Sequence, residues 1–190
     1  MALLLLGMIL FFAAHSVSIV SPRWRDSMVT RIGELPWKAA YGLVSLVGLV
    51  LIVQGYAAAR LDPVFLYHPP AALRHATTLL MLPVFPLLLA AYFPGRIQRW
   101  SGHPMLVAVK LWALAHLLAN GTLADLLLFG GFLAWAVADR ISLRHRGPRP
   151  VPNLPATAAN DVIVVLGGLA LYVVFALWLH PRLIGVPVMG

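Results

Sequence analysis

Apolar residues in this chain gather into long runs, and the polar residues lie between them. Six runs stand out: Ala2 to Val20, Ala39 to Ala59, Leu73 to Tyr92, Pro104 to Ala119, Leu123 to Ala138 and Val162 to Leu179. A helix rises about 1.5 Å per residue, so about 20 apolar residues cross the hydrocarbon of a bilayer. The pattern predicts an all-α integral membrane bundle of six transmembrane helices, forming a single domain over 1–190. Pro104 suits a first helical turn, where its missing N–H costs nothing. Pro83 and Pro86 are expected to kink the third helix, with neighbouring helices satisfying the freed carbonyls. Only Asn120, Gly121 and Thr122 separate the fourth and fifth runs, which predicts a tight helical hairpin. Gly121 is the expected C-terminal stop and Thr122 the expected N-cap of the next helix. There is no repeat of 20–50 residues.

Composition agrees with lipid as the solvent. Hydrophobic residues make up 61% of the chain and charged residues 11%, against about 25% charged in soluble domains. A net charge of +8 raises nucleic acid as a partner, but the basic residues sit between apolar runs rather than along one face. They are read as orientation signals, with membrane lipid as the partner and no nucleic acid. Six spans put Ser21–Lys38, Phe93–His103 and Asp139–Asn160 on one side. These segments hold Arg23, Arg25, Arg31, Lys38, Arg96, Arg99, Arg140, Arg144, Arg146 and Arg149. The other side holds Arg60, Arg74 and Arg182. The richer side is expected to be cytoplasmic, with both termini non-cytoplasmic. The Pro- and Arg-rich stretch Ile141 to Ala156 is expected to be an extended loop near the headgroups. No basic region precedes the first run, so it is read as a retained helix rather than a signal peptide.

The chain has no cysteine. That excludes disulfides, thiolate metal sites, cysteine nucleophiles and covalent haem attachment through C-x-x-C-H. There is no Walker loop, dinucleotide fingerprint, G-x-S-x-G or H-E-x-x-H. The Gly130–Gly131 and Gly167–Gly168 pairs read as close helix packing.

Ionisable groups inside a membrane are costly and mark candidate sites. His15, Lys110 and His116 fall within apolar runs. His75 and His103 lie near helix starts, and His68, His145 and His180 in loops or the tail. His15 follows Phe11 and Phe12, whose rings suit a flat macrocycle; the alternative is a histidine bonded to another helix. His116 shares a helix face with Trp112 and Ala113, and Asn120 follows one turn on. A small residue beside a large ring admits a ligand close to the helix, with a structural hydrogen bond as the alternative. Lys110 reads as a side chain snorkelling to the interface. His103 and His116 are thirteen positions apart, about 140° around one helix, so they do not share a ligand shell. Two histidines on different helices can ligate a haem iron from both sides. His15 and His116 are the first choice for this, with Phe11, Phe12, Trp112, Ala113 and Asn120 around the cofactor. His15 lies about 20 Å from the non-cytoplasmic end of its helix and His116 about 5–10 Å from that side. His75 is better matched to His116 in depth, so His75 and His103 stand as second choices for the metal.

Five segments carry a family resemblance. They are F-F-A-A-H-S at Phe11 to Ser16, Tyr41 with Ser45, and G-H-P-M-L at Gly102 to Leu106. Then come L-W-A-L-A-H-L-L-A-N-G at Leu111 to Gly121 and L-L-L-F-G-G-F-L-A-W-A at Leu126 to Ala136. Along nearly its whole length the chain resembles the NnrU family of bacterial membrane proteins. The resemblance implies a multi-pass protein of the bacterial inner membrane, linked to nitric oxide and denitrification. The family is similar to the 15-cis-ζ-carotene isomerases, which carry non-covalent haem b on histidine ligands. The matching positions are His15 and His116, and the implied substrate is a hydrophobic polyene, isomerised cis to trans under redox control. The chain departs from the pattern at Gly102, where such proteins have arginine. It departs again at Ala113, where the isomerases have cysteine, so no thiol can exchange with a haem ligand.

Two other readings remain. A membrane methyltransferase of the isoprenylcysteine type would use His103, Arg99 and the Arg140–Arg149 loop near the cytoplasmic face. A non-catalytic assembly partner of a respiratory complex would need no site at all.

Overall fold

Long apolar runs leave the backbone one way to satisfy itself away from water, which is to bond within each helix. The computed structural model describes residues 1–146, 154–186 and 188. Among them the helices are α1 (Ala2–Val20), α2 (Pro22–Ile32), α3 (Glu34–Ala59), α4 (Ala72–Met81), α5 (Val84–Ala90), α6 (Arg96–Ser101), α7 (Pro104–Ala119), α8 (Leu123–Ser142), α9 (Asn160–Val174) and α10 (His180–Ile184). A π-helical turn, Phe175–Leu179, joins α9 to α10. It precedes Pro181, whose missing N–H and ring disfavour a regular turn there.

Four stretches are long and apolar enough to cross a membrane: Ala2–Val20, Glu34–Ala59, Ala72–Ala90 and Asn160–Ile184. The fourth predicted run is the helix α7, whose 16 residues rise only about 24 Å, and it is not among these four. The fifth is present as α8 and runs on to Ser142, taking in Asp139 and Arg140 beside Asp125. Leu43, Leu46 and Val53 on α3, Leu166 on α9 and Leu177 in the π-helical turn are each more than half exposed. Such apolar exteriors belong against lipid.

The helices form two compact units. Residues 1–65 and 122–147 make one, and residues 66–121 and 148–190 the other. The α7–α8 connection passes from one unit to the other.

In the first unit α1 lies along α3, with α8 against both and α2 at the end of α1. Facing glycines allow the α1–α3 approach. A Cβ on Gly7 would stand 2.5 Å from the Ile52 nitrogen, and one on Gly48 2.8 Å from the Phe11 nitrogen. Close backbone contact of this kind substitutes for the missing hydrophobic force between helices in lipid. The predicted glycine pairs divide their roles. Gly131 faces Met8 and Phe12, and Gly168 faces Pro86, while Gly130 meets only Leu126 of its own helix. Ser21–Lys38, read as a connection between the first two runs, holds the helix α2 and the start of α3. Trp24 meets Trp37 edge-on at 5.9 Å, and Arg25 stands 6.0 Å from the Trp37 ring. Trp and Arg at a helix end are the residues expected at the headgroup level. Asp125, buried at the start of α8, completes a capping box with Thr122 and accepts the Tyr56 hydroxyl at 2.5 Å. The expected N-cap is therefore Thr122.

In the second unit α4 and α5 form one run broken at Leu82–Pro83. The Leu82 N–H turns to Leu79 O at 3.3 Å, which releases Thr78 O, and the Tyr172 hydroxyl of α9 takes it at 3.2 Å. Thr77 similarly bonds Ala115 O of α7 at 2.9 Å. Gly121 is not the left-handed stop that was expected. Positive φ occurs at Gly33, Gly102 and Gly185, and α7 instead ends on an extended Asn120. Gly121 is needed because a Cβ there would collide with Tyr67 O. Its carbonyl accepts the Leu66 and Tyr67 N–H groups. The Tyr67 hydroxyl donates to the last carbonyls of α7, Leu117 O and Asn120 O. The Arg149 end of the expected Ile141–Ala156 loop lies outside the described residues, within 147–153.

Candidate functional site

His15 sits half-buried on α1 inside a cluster of rings. Its imidazole stacks on Phe11 with centroids 4.0 Å apart and planes 20° apart. Tyr41 of α3 lies at 5.1 Å, and Trp135 of α8 meets it edge-on at 5.7 Å. Phe12 and Phe132 fill the space behind, 5.0 Å apart. Helical spacing explains the set. Phe11 and His15 are four apart on α1 and Phe132 and Trp135 three apart on α8, so each pair shares a face.

The His15 ring is held by one hydrogen bond, Nδ1 to Phe11 O at 2.8 Å. A carbonyl only accepts, so the proton is on Nδ1 and the basic lone pair is on Nε2. Beside it the Trp135 Nε1–H is buried with no hydrogen-bond partner among the described residues. A buried donor without an acceptor costs about 1–3 kcal/mol.

His116, half-buried on α7 in the other unit, repeats the arrangement. Its Nδ1 donates to Trp112 O at 2.8 Å, and the Trp112 ring lies 5.3 Å away. Ala113 is fully buried. The Asn120 amide donates to His116 O at 2.9 Å, so it finishes the helix end rather than reaching outward. His75 is exposed near the start of α4, and His103 is the N-cap residue of α7. Lys110 is half-buried on α7.

No group of three or more His, Asp or Glu side chains is arranged to hold a metal ion among the described residues. A bare cation therefore lacks a ligand set there. Haem is different, because the porphyrin supplies four ligands and the protein adds one or two. The donor set present, imidazole with Nδ1 fixed to a carbonyl, fits that need.

Tyr41, Phe132 and Trp135 escaped the reading of single helices because they meet His15 from α3 and α8. The available signal was the ring spacing in L-L-L-F-G-G-F-L-A-W-A. Asp139 follows Trp135 by one turn and is paired with Arg146, which also donates to the Ser142 hydroxyl at 2.9 Å.

Residues 3–188 match the model of one protein family, described as NnrU protein. No curated protein and no solved structure matches the chain.

Proposed function

The chain belongs to the NnrU family, and from that membership we propose a multi-pass membrane protein that holds haem b through His15 and His116. One observation carries this reading: both imidazoles donate Nδ1–H to the carbonyl four residues back at 2.8 Å. Each thereby keeps the tautomer whose Nε2 lone pair can bind iron, and each ring is fixed in orientation before any ligand arrives. Phe11 and Tyr41 hold the His15 ring, and Trp112 flanks His116. The partnerless Trp135 N–H supports a polar acceptor on the ligand beside His15.

When bound, haem would supply a redox-active iron, and exchange of one histidine ligand would open it to another molecule. Phe11, Phe12, Tyr41 and Trp112 would present apolar walls to it and limit the access of water. That environment suits a hydrophobic polyene or other unsaturated lipid whose double bond is isomerised, a reaction that moves no atoms in or out. It equally admits nitric oxide, which fits a link to denitrification. The proposed setting is the bacterial inner membrane, with six spans, both termini non-cytoplasmic, and α7 and α8 as the two short spans.

The test is an absorption spectrum of the purified protein, oxidised and reduced. Haem bands that weaken or shift in His15→Ala and His116→Ala are expected. A colourless protein from haem-supplied cells refutes the reading.

A further inference from the structure

A second feature of the second unit uses residues other than His116. Where α9 begins, the segments 92–99 and 154–162 are tied together by polar bonds. The Leu154 N–H donates to Tyr92 O at 2.9 Å. Asn160, buried, donates to Pro94 O at 2.8 Å and Pro155 O at 3.1 Å, and accepts the Thr157 hydroxyl at 2.7 Å. Asp161 accepts the Arg96 and Ile97 N–H groups at 3.1 and 3.2 Å. Between the two tied segments is a cleft of about 660 Å³, lined among others by Arg96, Arg99, Thr157 and Val162. Its size falls within the range of ligand sites.

The charges in the cleft are unbalanced for a reason visible in these bonds. Asp161 feels the charge of both arginines, but its carboxylate is engaged by backbone amides. Neither guanidinium forms an ion pair among the described residues. Arg96 and Arg99 are three apart on α6, so they share a face. Guanidinium forks match phosphate oxygens two at a time. Two such cations outnumber one carboxylate whose charge is already spread over two N–H bonds.

The surroundings select the source of the phosphate. Asp161 immediately precedes the apolar run of α9, so the cleft opens where that helix leaves hydrocarbon. Val162, Leu166 and Leu169 follow at positions i, i+4 and i+7 and are all exposed. They make an apolar stripe leading from the cleft along the helix, the path an acyl chain takes below its headgroup. We infer that this cleft binds an anionic phospholipid, with the phosphate diester between Arg96 and Arg99 and a chain along Val162, Leu166 and Leu169. Basic pockets at membrane helix ends are suited to such headgroups.

The test uses the full-length protein in detergent with two probes. Native mass spectrometry reads retention of added phosphatidylglycerol against phosphatidylcholine, and calorimetry reads binding of inorganic phosphate. The wild type is expected to retain phosphatidylglycerol preferentially. Arg96→Ala with Arg99→Ala is expected to weaken that retention about tenfold or more, the scale of lost charge-assisted bonds. Both arginines are exposed, so helicity and melting should be unchanged; Arg96→Gln with Arg99→Gln, which keeps length and polarity, gives the same loss if the alanine pair unfolds. Leu166→Glu is expected to weaken retention as well, by placing a carboxylate on the chain path. Equal retention by wild type and both arginine pairs overturns the site. Binding of inorganic phosphate without selective retention of phosphatidylglycerol overturns the lipid assignment.

Discussion

The sharpest consequence of the His15 cluster concerns one hydrogen atom. The Trp135 Nε1–H is buried without an acceptor, which costs about 1–3 kcal/mol in the empty protein. Replacing Trp135 by its benzothiophene analogue keeps the ring shape and puts sulfur where the N–H was. Packing against His15 at 5.7 Å and Phe12 at 6.4 Å is then preserved, so no cavity term enters. The empty protein should become more stable, by up to about 1–3 kcal/mol, because a desolvated donor has been removed. The haem-loaded protein should respond in the opposite direction if the N–H finds its acceptor on the ligand. Haem retention should fall about tenfold, matching one hydrogen bond to a charged acceptor. Thermal unfolding in detergent reads the first effect, and haem titration followed by absorption reads the second. Loss of stability in the empty protein would refute the reasoning, because it would mean that the N–H is already satisfied within the fold. Unchanged haem retention with a stabilised empty protein would leave the burial argument standing and remove Trp135 from the site.

Four further outcomes follow. His15→Ala and His116→Ala should each convert a six-coordinate low-spin haem spectrum to a five-coordinate one, and the double variant should purify without haem. Gly48→Leu should lower the melting temperature in detergent, since even its Cβ would press on the Phe11 nitrogen at 2.8 Å, and overpacking costs about 1–3 kcal/mol. Tyr56→Phe should cost about 0.6–1.7 kcal/mol, the range for hydrogen bonds in membrane bundles, while Asp125→Ala should cost more by also removing the α8 cap; equal losses would refute the network. The natural chain lacks cysteine, so Asp62→Cys and His145→Cys each report one position. A membrane-impermeant thiol reagent should label the first from outside intact cells and the second only after lysis, and the reverse pattern would invert the proposed orientation.

Much of the helical layout was visible in the sequence because hydrophobic run length is a local property. Ala2–Val20 and Pro104–Ala119 begin and end where their runs do. Thr122 was visible as a cap because the oxygen and the N–H it bonds lie three residues apart. What hid was whatever depends on another helix. Gly121 looks like a helix stop, yet its constraint is Tyr67, more than fifty positions earlier, and nothing local marks that contact. Ser21–Lys38 read as a connection because it lies between two apolar runs, whereas Pro22–Ile32 is helical and its Trp24 and Arg25 meet Trp37 of α3. Pro83 announced a break, whereas the residue that repairs it, Tyr172, stands on α9.

The histidines show the same boundary at the level of chemistry. Their positions, and the rings one turn before each, are legible from helical spacing. The protonation state is not, because it depends on whether Nδ1 reaches a carbonyl of its own helix or a partner elsewhere. Both rings choose their own helix, Phe11 O in one case and Trp112 O in the other. That choice matters because the carbonyl at i−4 belongs to a rigid element and is present with or without a ligand. A helix that fixes Nδ1 also fixes which nitrogen can bind iron, at no cost in reorganisation when the iron arrives. A histidine kept only to join two helices would direct its proton to the other helix. Both Nδ1 protons stay within their own helices, as the proposed ligand role requires.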